Sequence, residues 1–150
     1  MTDRDIIEDF LIKIKNKLLE RIPTVTGTTA DSLEVKTNPQ GGQLLGAAHI
    51  GAVEYGRGPR KSTASSGMAE KIQVWLQAKG MDSEWDNAVG LTMHINKHGT
   101  ALFREGAPSG VLSDVINNDA FNSLTKSLAQ SNMLSLTSEV LKGFKLAKIS

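Results

Sequence analysis

Cysteine is absent from this 150-residue chain, which excludes a disulfide framework, a thiol nucleophile and a cysteine-ligated zinc site. No apolar run approaches the ~18 residues of a membrane-spanning helix. The opening residues, Met1-Thr2-Asp3-Arg4-Asp5, lack the basic stretch and apolar core of a secretory leader. An excess of one charge is missing too: 17 Lys and Arg against 16 Asp and Glu leave a net +1. That is too little for a protein that works by coating nucleic acid with positive charge. What is present is ordinary. Hydrophobic residues make up 39% and charged ones 22%, with 14 glycines, the profile of a globular chain rather than a disordered one. The length is that of a single domain, 1–150, around one core. Composition therefore implies a soluble intracellular domain with no membrane partner.

The strongest pattern is at the start. Ile6, Ile7, Phe10, Leu11, Ile14, Leu18 and Ile22 recur at steps of three and four, which predicts an amphipathic helix over about 3–21. Thr2 with Asp5 three residues on is a variant of the capping box. Acids gather early and bases late, as the helix dipole prefers, and Pro23 ends the pattern. Residues 24–32 read as an extended loop. Leu33, Val35 and Thr37 then alternate with Glu34 and Lys36, and Asn38-Pro39-Gln40-Gly41-Gly42 is turn chemistry, so a β-hairpin is expected over roughly 32–47.

Small residues follow from Ala47, then Gly56, Gly58 and Pro59, then a polar basic loop over 60–66. Met68, Ile72, Trp75 and Leu76 predict a helix over 68–79 that closes at Lys79-Gly80, with Trp75 and Leu76 both deeply buried. Another helix, capped at Asp82 or Ser83, carries Trp85, Ala88, Val89, Thr92 and Ile95 and stops at Gly99. Residues 99–118 show no period, and so long a stretch implies either short unrecognised strands or a loop that a partner orders. Asn118 or Asp119 caps a helix with Phe121, Leu124 and Leu128, and the remaining residues favour helix. Helices flanking a hairpin without strand–helix alternation indicate α+β: a long N-terminal helix and further helices packed on a small antiparallel sheet, with long loops. The core is expected over about residues 1–100, with 101–150 mostly helix and loop.

Catalytic and cofactor patterns are missing. His94 and His98 stand four apart, a spacing used by helical zinc sites, but Ile95 occupies the place of the catalytic Glu and no third ligand is positioned. The run Gly56-Arg57-Gly58-Pro59-Arg60-Lys61-Ser62 departs from a phosphate loop in spacing, and Pro59 removes an amide donor. No nucleophile elbow occurs. No catalytic, cofactor-binding or metal residue is therefore assigned. Glu54 is the one carboxylate in a small, apolar run, and if buried it must be paired or hydrogen-bonded. It can tie down the glycine turn, pairing with Arg57, Arg60 or Lys61, or reach a neighbouring subunit. Those three cations can equally be solvated, meet a partner subunit or touch DNA phosphates.

The order of these pieces resembles the neck or tail-completion proteins of tailed bacteriophages, the head–tail joining proteins between portal and tail. The resemblance is carried first by the N-terminal helix running into Pro23, Thr26-Gly27 and Ser32-Leu33. Its strongest part is the small-residue run into Val53-Glu54-Tyr55-Gly56 and Arg57-Gly58-Pro59. Ile72, Trp75-Leu76 and Lys79-Gly80 are similar to the helix that follows in that family. It covers about residues 5–100, whereas Ala47-Ala48 replaces a usual Tyr-Ala pair and 106–150 has no counterpart.

The resemblance implies a structural virion protein, not an enzyme, assembled in the host cytoplasm into a homo-oligomeric ring in the neck or upper tail. Its partners would be further copies of itself, neighbouring portal, connector or tail proteins, and DNA passing through the ring. Glu54, Tyr55, Arg57, Arg60 and Lys61 become the candidate subunit interface, and 99–118 a second candidate surface. Two other readings compete: a DNA-contacting protein using the basic loop 57–61, and a small hydrolase around Glu54 and His49.

Overall fold

A computed structural model describes residues 1–22, 28–60 and 66–147. Helix α1 (Asp3–Arg21) is followed by a single turn, α2 (Thr28–Asp31), and a hairpin of β1 (Glu34–Asn38) and β2 (Gly41–Leu45). Five helices complete the chain: α3 (Ile50–Tyr55), α4 (Ser66–Ala78), α5 (Trp85–His98), α6 (Ala101–Glu105) and α7 (Asn118–Ala147). The architecture is α+β, with a two-stranded antiparallel sheet in which Glu34 pairs with Leu45 and Asn38 with Gly41.

Helix α1 starts where its chemistry dictates. The Thr2 hydroxyl accepts from the Asp5 amide at 3.3 Å while the Asp5 carboxylate accepts from the Thr2 amide at 2.6 Å, a reciprocal capping box. Its apolar stripe lies across the hairpin, where Gly42 sits directly beneath Ile7 and Leu11. Ile14, Leu18 and Ile22 continue the stripe into the main core, where they meet Leu33 and Val115. Leu18 is 1% exposed. Val111, Leu112 and Ala120 pack around the same cluster, so the chain after residue 106 closes a core that begins in α1.

A second packing unit is formed by α4 against α5. Its seam uses small side chains: Ala69 and Leu76 from α4, with Ala88, Thr92 and Asn96 every fourth residue along α5, are all buried. Small residues at that spacing let two helix backbones approach closely. The Thr92 hydroxyl is satisfied by the Ala88 carbonyl at 2.7 Å.

Leu76 is buried as expected, but Trp75 is not: it is 37% exposed. The contact face of α4 is narrow, set by Ala69 and Leu76 seven residues apart, and Trp75 stands on its flank beneath the Lys79 ammonium, 6.0 Å from the ring centre. The unpatterned stretch 99–118 also resolves differently. It holds α6, capped by the Thr100 side chain, and hydrogen-bonded turns between Gly110 and Ile116. The turns are ordered by the chain itself rather than by a partner. Helix α7 then runs unbroken for 30 residues, about 45 Å at the usual rise. The Asn117 side chain, one residue before the expected cap, accepts from the Ala120 amide at 3.0 Å.

Candidate functional site

Residues 50–60 connect the two packing units, and Glu54 is the first connection. It sits on α3 and is 1% exposed. Its Oε2 accepts from the Leu112 amide at 2.8 Å and the Ser109 hydroxyl at 3.3 Å. Its Oε1 accepts from the Ser113 hydroxyl at 2.5 Å and the Ser113 amide at 3.3 Å. The backbone adds a parallel link, with the Ser109 amide donating to the Glu54 carbonyl at 2.7 Å and its hydroxyl to the Val53 carbonyl at 2.8 Å. Burial alone would raise the Glu54 carboxyl, but the Ser113 hydroxyl, the Leu112 and Ser113 amides and the Ser109 hydroxyl together outweigh it. The net shift is downward, and the ionised form is the one the fold holds.

Glu54 is thus a structural carboxylate, but its partners are not those the sequence suggested. It binds the loop at 109–113, not the glycine turn or the neighbouring cations. Because its own chain encloses it, it presents no carboxylate to a neighbouring subunit. That corrects its place in the candidate interface. The 109–113 part of the second candidate surface is tied to Glu54, with Ser109 and Ser113 still exposed.

The turn after α3 is the second connection. The Arg57 amide donates to the Thr100 hydroxyl at 2.9 Å, and the Thr100 amide returns a bond to the Arg57 carbonyl at 2.9 Å. Farther on, the Arg60 amide donates to the Asn96 carbonyl at 2.8 Å. The Arg57 guanidinium faces inward, with Nη2 3.0 Å from Asn96 Oδ1 and Nη1 against the Met68 sulfur. Gly56 and Gly99 cap the helices that meet here and carry φ of +74° and +78° with extended ψ, a region essentially open to glycine alone.

Of the five interface candidates, then, Tyr55 (62% exposed) and Arg60 remain on the surface. Glu54 and Arg57 are committed to the chain's own fold, and Lys61 lies outside the described residues. The glycine-rich segment up to residue 60 is held against residues 96–100 rather than free to follow a phosphate backbone. His49 and Glu54 have separate partners, since His49 Nε2 lies 2.8 Å from the Thr29 hydroxyl. His94 and His98 do share a face, with ring centres 4.8 Å apart. Among the described residues no group of three or more potential ligands gathers for a metal. No described helix is long and apolar enough to cross a membrane.

The feature that sequence reading missed is on α7. Met133, Leu134, Leu136, Val140 and Leu141 are all exposed, Leu134 at 73%. Helix α7 runs antiparallel to α1, with Phe121 beside Phe10 at one end (ring centres 6.0 Å apart) and Leu134 near Met1 at the other. The two helices do not seal: an open groove of about 920 Å³ separates them. The signal lay in the sequence as Ser123, Ser127, Ser131 and Ser135, every fourth residue along the side of α7 that faces α1. Small polar side chains there cannot fill a helix–helix seam. Against known proteins, the chain matches no family model, no curated protein and no solved structure.

Proposed function

We propose that this chain is a structural virion protein of a tailed phage, forming a ring in the neck or upper tail that completes the tail or joins head to tail. The observation that carries an assembly role is the exposed apolar surface of α7, five large side chains of which Leu136, Val140 and Leu141 lie past the groove. Contiguous apolar surface of this kind marks an interaction site. More of it surrounds the α4–α5 turn, where Val74, Trp75, Met81 and Trp85 are exposed. A cyclic ring needs two different patches on each subunit, and stacking on a portal or tail tube needs a further one.

The phage setting comes from the resemblance of residues 5–100. Its strongest block, Val53 to Pro59, is a strap between the two packing units, a role suited to a rigid ring subunit. Neighbours would be portal, connector or tail proteins, with DNA passing through the lumen. The test is an amber mutation in this gene within the phage that encodes it. The expected result is filled heads and tails that fail to join, or tails with defective ends. Normal yields of infectious particles from the non-suppressing host would overturn the reading.

A further inference from the structure

The groove between α1 and α7 and the free end of α7 fit each other. On α1 the groove runs from Met1 to Lys13, and on α7 from Ser123 to Ser135. That is twelve steps on either helix, about 18 Å at 1.5 Å per residue. Beyond Ser135 the helix continues to Ala147 past the start of α1. Those twelve residues also span about 18 Å.

Shape and charge agree with length. Beyond the groove, Leu136, Val140 and Leu141 are exposed and spread over about 140° of the α7 circumference at 100° per residue. An arc that wide exceeds the narrow seam of a paired coiled coil and suits a slot between two helices. The groove offers apolar walls in Ile6, Phe10 and Leu124. Its α1 wall carries Asp3 and Asp9 toward the start of the helix and Lys13 at the far end. From residue 136 onward the chain carries Lys142, Lys145 and Lys148 against the single acid Glu139. Within one chain the two cannot meet, because the projecting segment leads away from the groove.

We infer that the projecting end of α7, residues 136–147, docks into the α1–α7 groove of a second copy, antiparallel to that copy's α1. With residue 136 level with Lys13, this orientation brings Lys142 level with the stretch of α1 between Asp3 and Asp9. The contact is heterologous, groove of one subunit with tail of the next, so it propagates into a ring or an open filament. It deepens the ring reading by naming the surface, and it can fail while that reading stands.

The absence of cysteine makes the test direct. Two full-length variants are made, Asp9→Cys and Lys142→Cys, and treated with a short bifunctional maleimide separately, mixed, and as the double variant. The expected result is a heterodimer only in the mixture and a ladder of higher oligomers from the double variant. Replacing Lys142 with Glu should weaken self-association in sedimentation, and adding Asp9→Lys should restore it. Dimers from Lys142→Cys alone would show tail-to-tail pairing and overturn the inference. So would a mixture that never cross-links. If the wild-type chain still closes into discrete oligomers in that last case, the ring survives through another surface.

Discussion

Replacing Glu54 with alanine should cost about 3–5 kcal/mol of folding stability, because each donor stranded in a buried site costs about 1–3 kcal/mol. The Leu112 amide, the Ser113 amide and the Ser113 hydroxyl would all lose their acceptor. Water can reach the Ser113 hydroxyl but not easily the Leu112 amide, since the carboxylate is enclosed at 1% exposure. The loss would be a large share of the ~5–15 kcal/mol typical of a domain. Damage should spread beyond α3, since Leu112 packs on the Ile14–Leu18–Ile22 cluster and the same loop launches α7. Urea denaturation followed by circular dichroism measures the effect.

The same residue sets a pH dependence. Its folded pKa lies below its ordinary value of 4.5, so the ionised form adds stability that is fully present above 4.5. That contribution disappears as pH falls from 4.5 through the lower folded value. Wild-type protein should therefore lose stability over that acid window, and Glu54→Gln should lose less across the same range. Equal slopes for the two proteins would mean the carboxylate is not held as described.

Gly56→Ala is expected to destabilise by about 2–4 kcal/mol, combining a glycine-only backbone region with overpacking, each about 1–3 kcal/mol. At φ +74° a side chain is strained whatever the space around it, and here there is none. The new methyl group would collide with the Phe103 amide nitrogen and come within 2.5 Å of the Thr100 hydroxyl. Both belong to the first turn of α6 and its cap, which cannot retreat without breaking the Arg57–Thr100 exchange. Gly51→Ala is the control, since nothing lies within 4 Å of a methyl group there. A denaturation midpoint for Gly56→Ala equal to that control would contradict the strap geometry.

Local chemistry was readable in advance. The Thr2–Asp5 pair and the stripe from Ile6 to Ile22 define α1, because capping and periodicity act within a few residues. The alternation over Leu33 to Thr37 and the turn at Asn38 to Gly42 likewise define the hairpin. Trp75 shows where periodicity stops: it identifies a stripe but not how wide the partner's contact will be. Glu54 shows a second limit. Its need for partners if buried was legible, yet the partners lie 55–59 residues away, and no local pattern announces them. Within 99–118, α6 is too short to show a period, and the loop at 109–113 is tied down by those same distant bonds. The groove is a third case, since only the fold lays the serines of α7 beside Ile6 and Phe10.

The central claim, that this protein is a built-in part of a virion, is tested most directly in the particles themselves. Phage encoding the chain are purified through two density gradients, and their proteins are quantified by mass spectrometry beside the portal and tail-tube proteins. Expected is this chain in every infectious fraction at a fixed small copy number relative to the portal, with ring density at the neck or tail end by electron microscopy. Infectious particles that lack the protein altogether would contradict the claim.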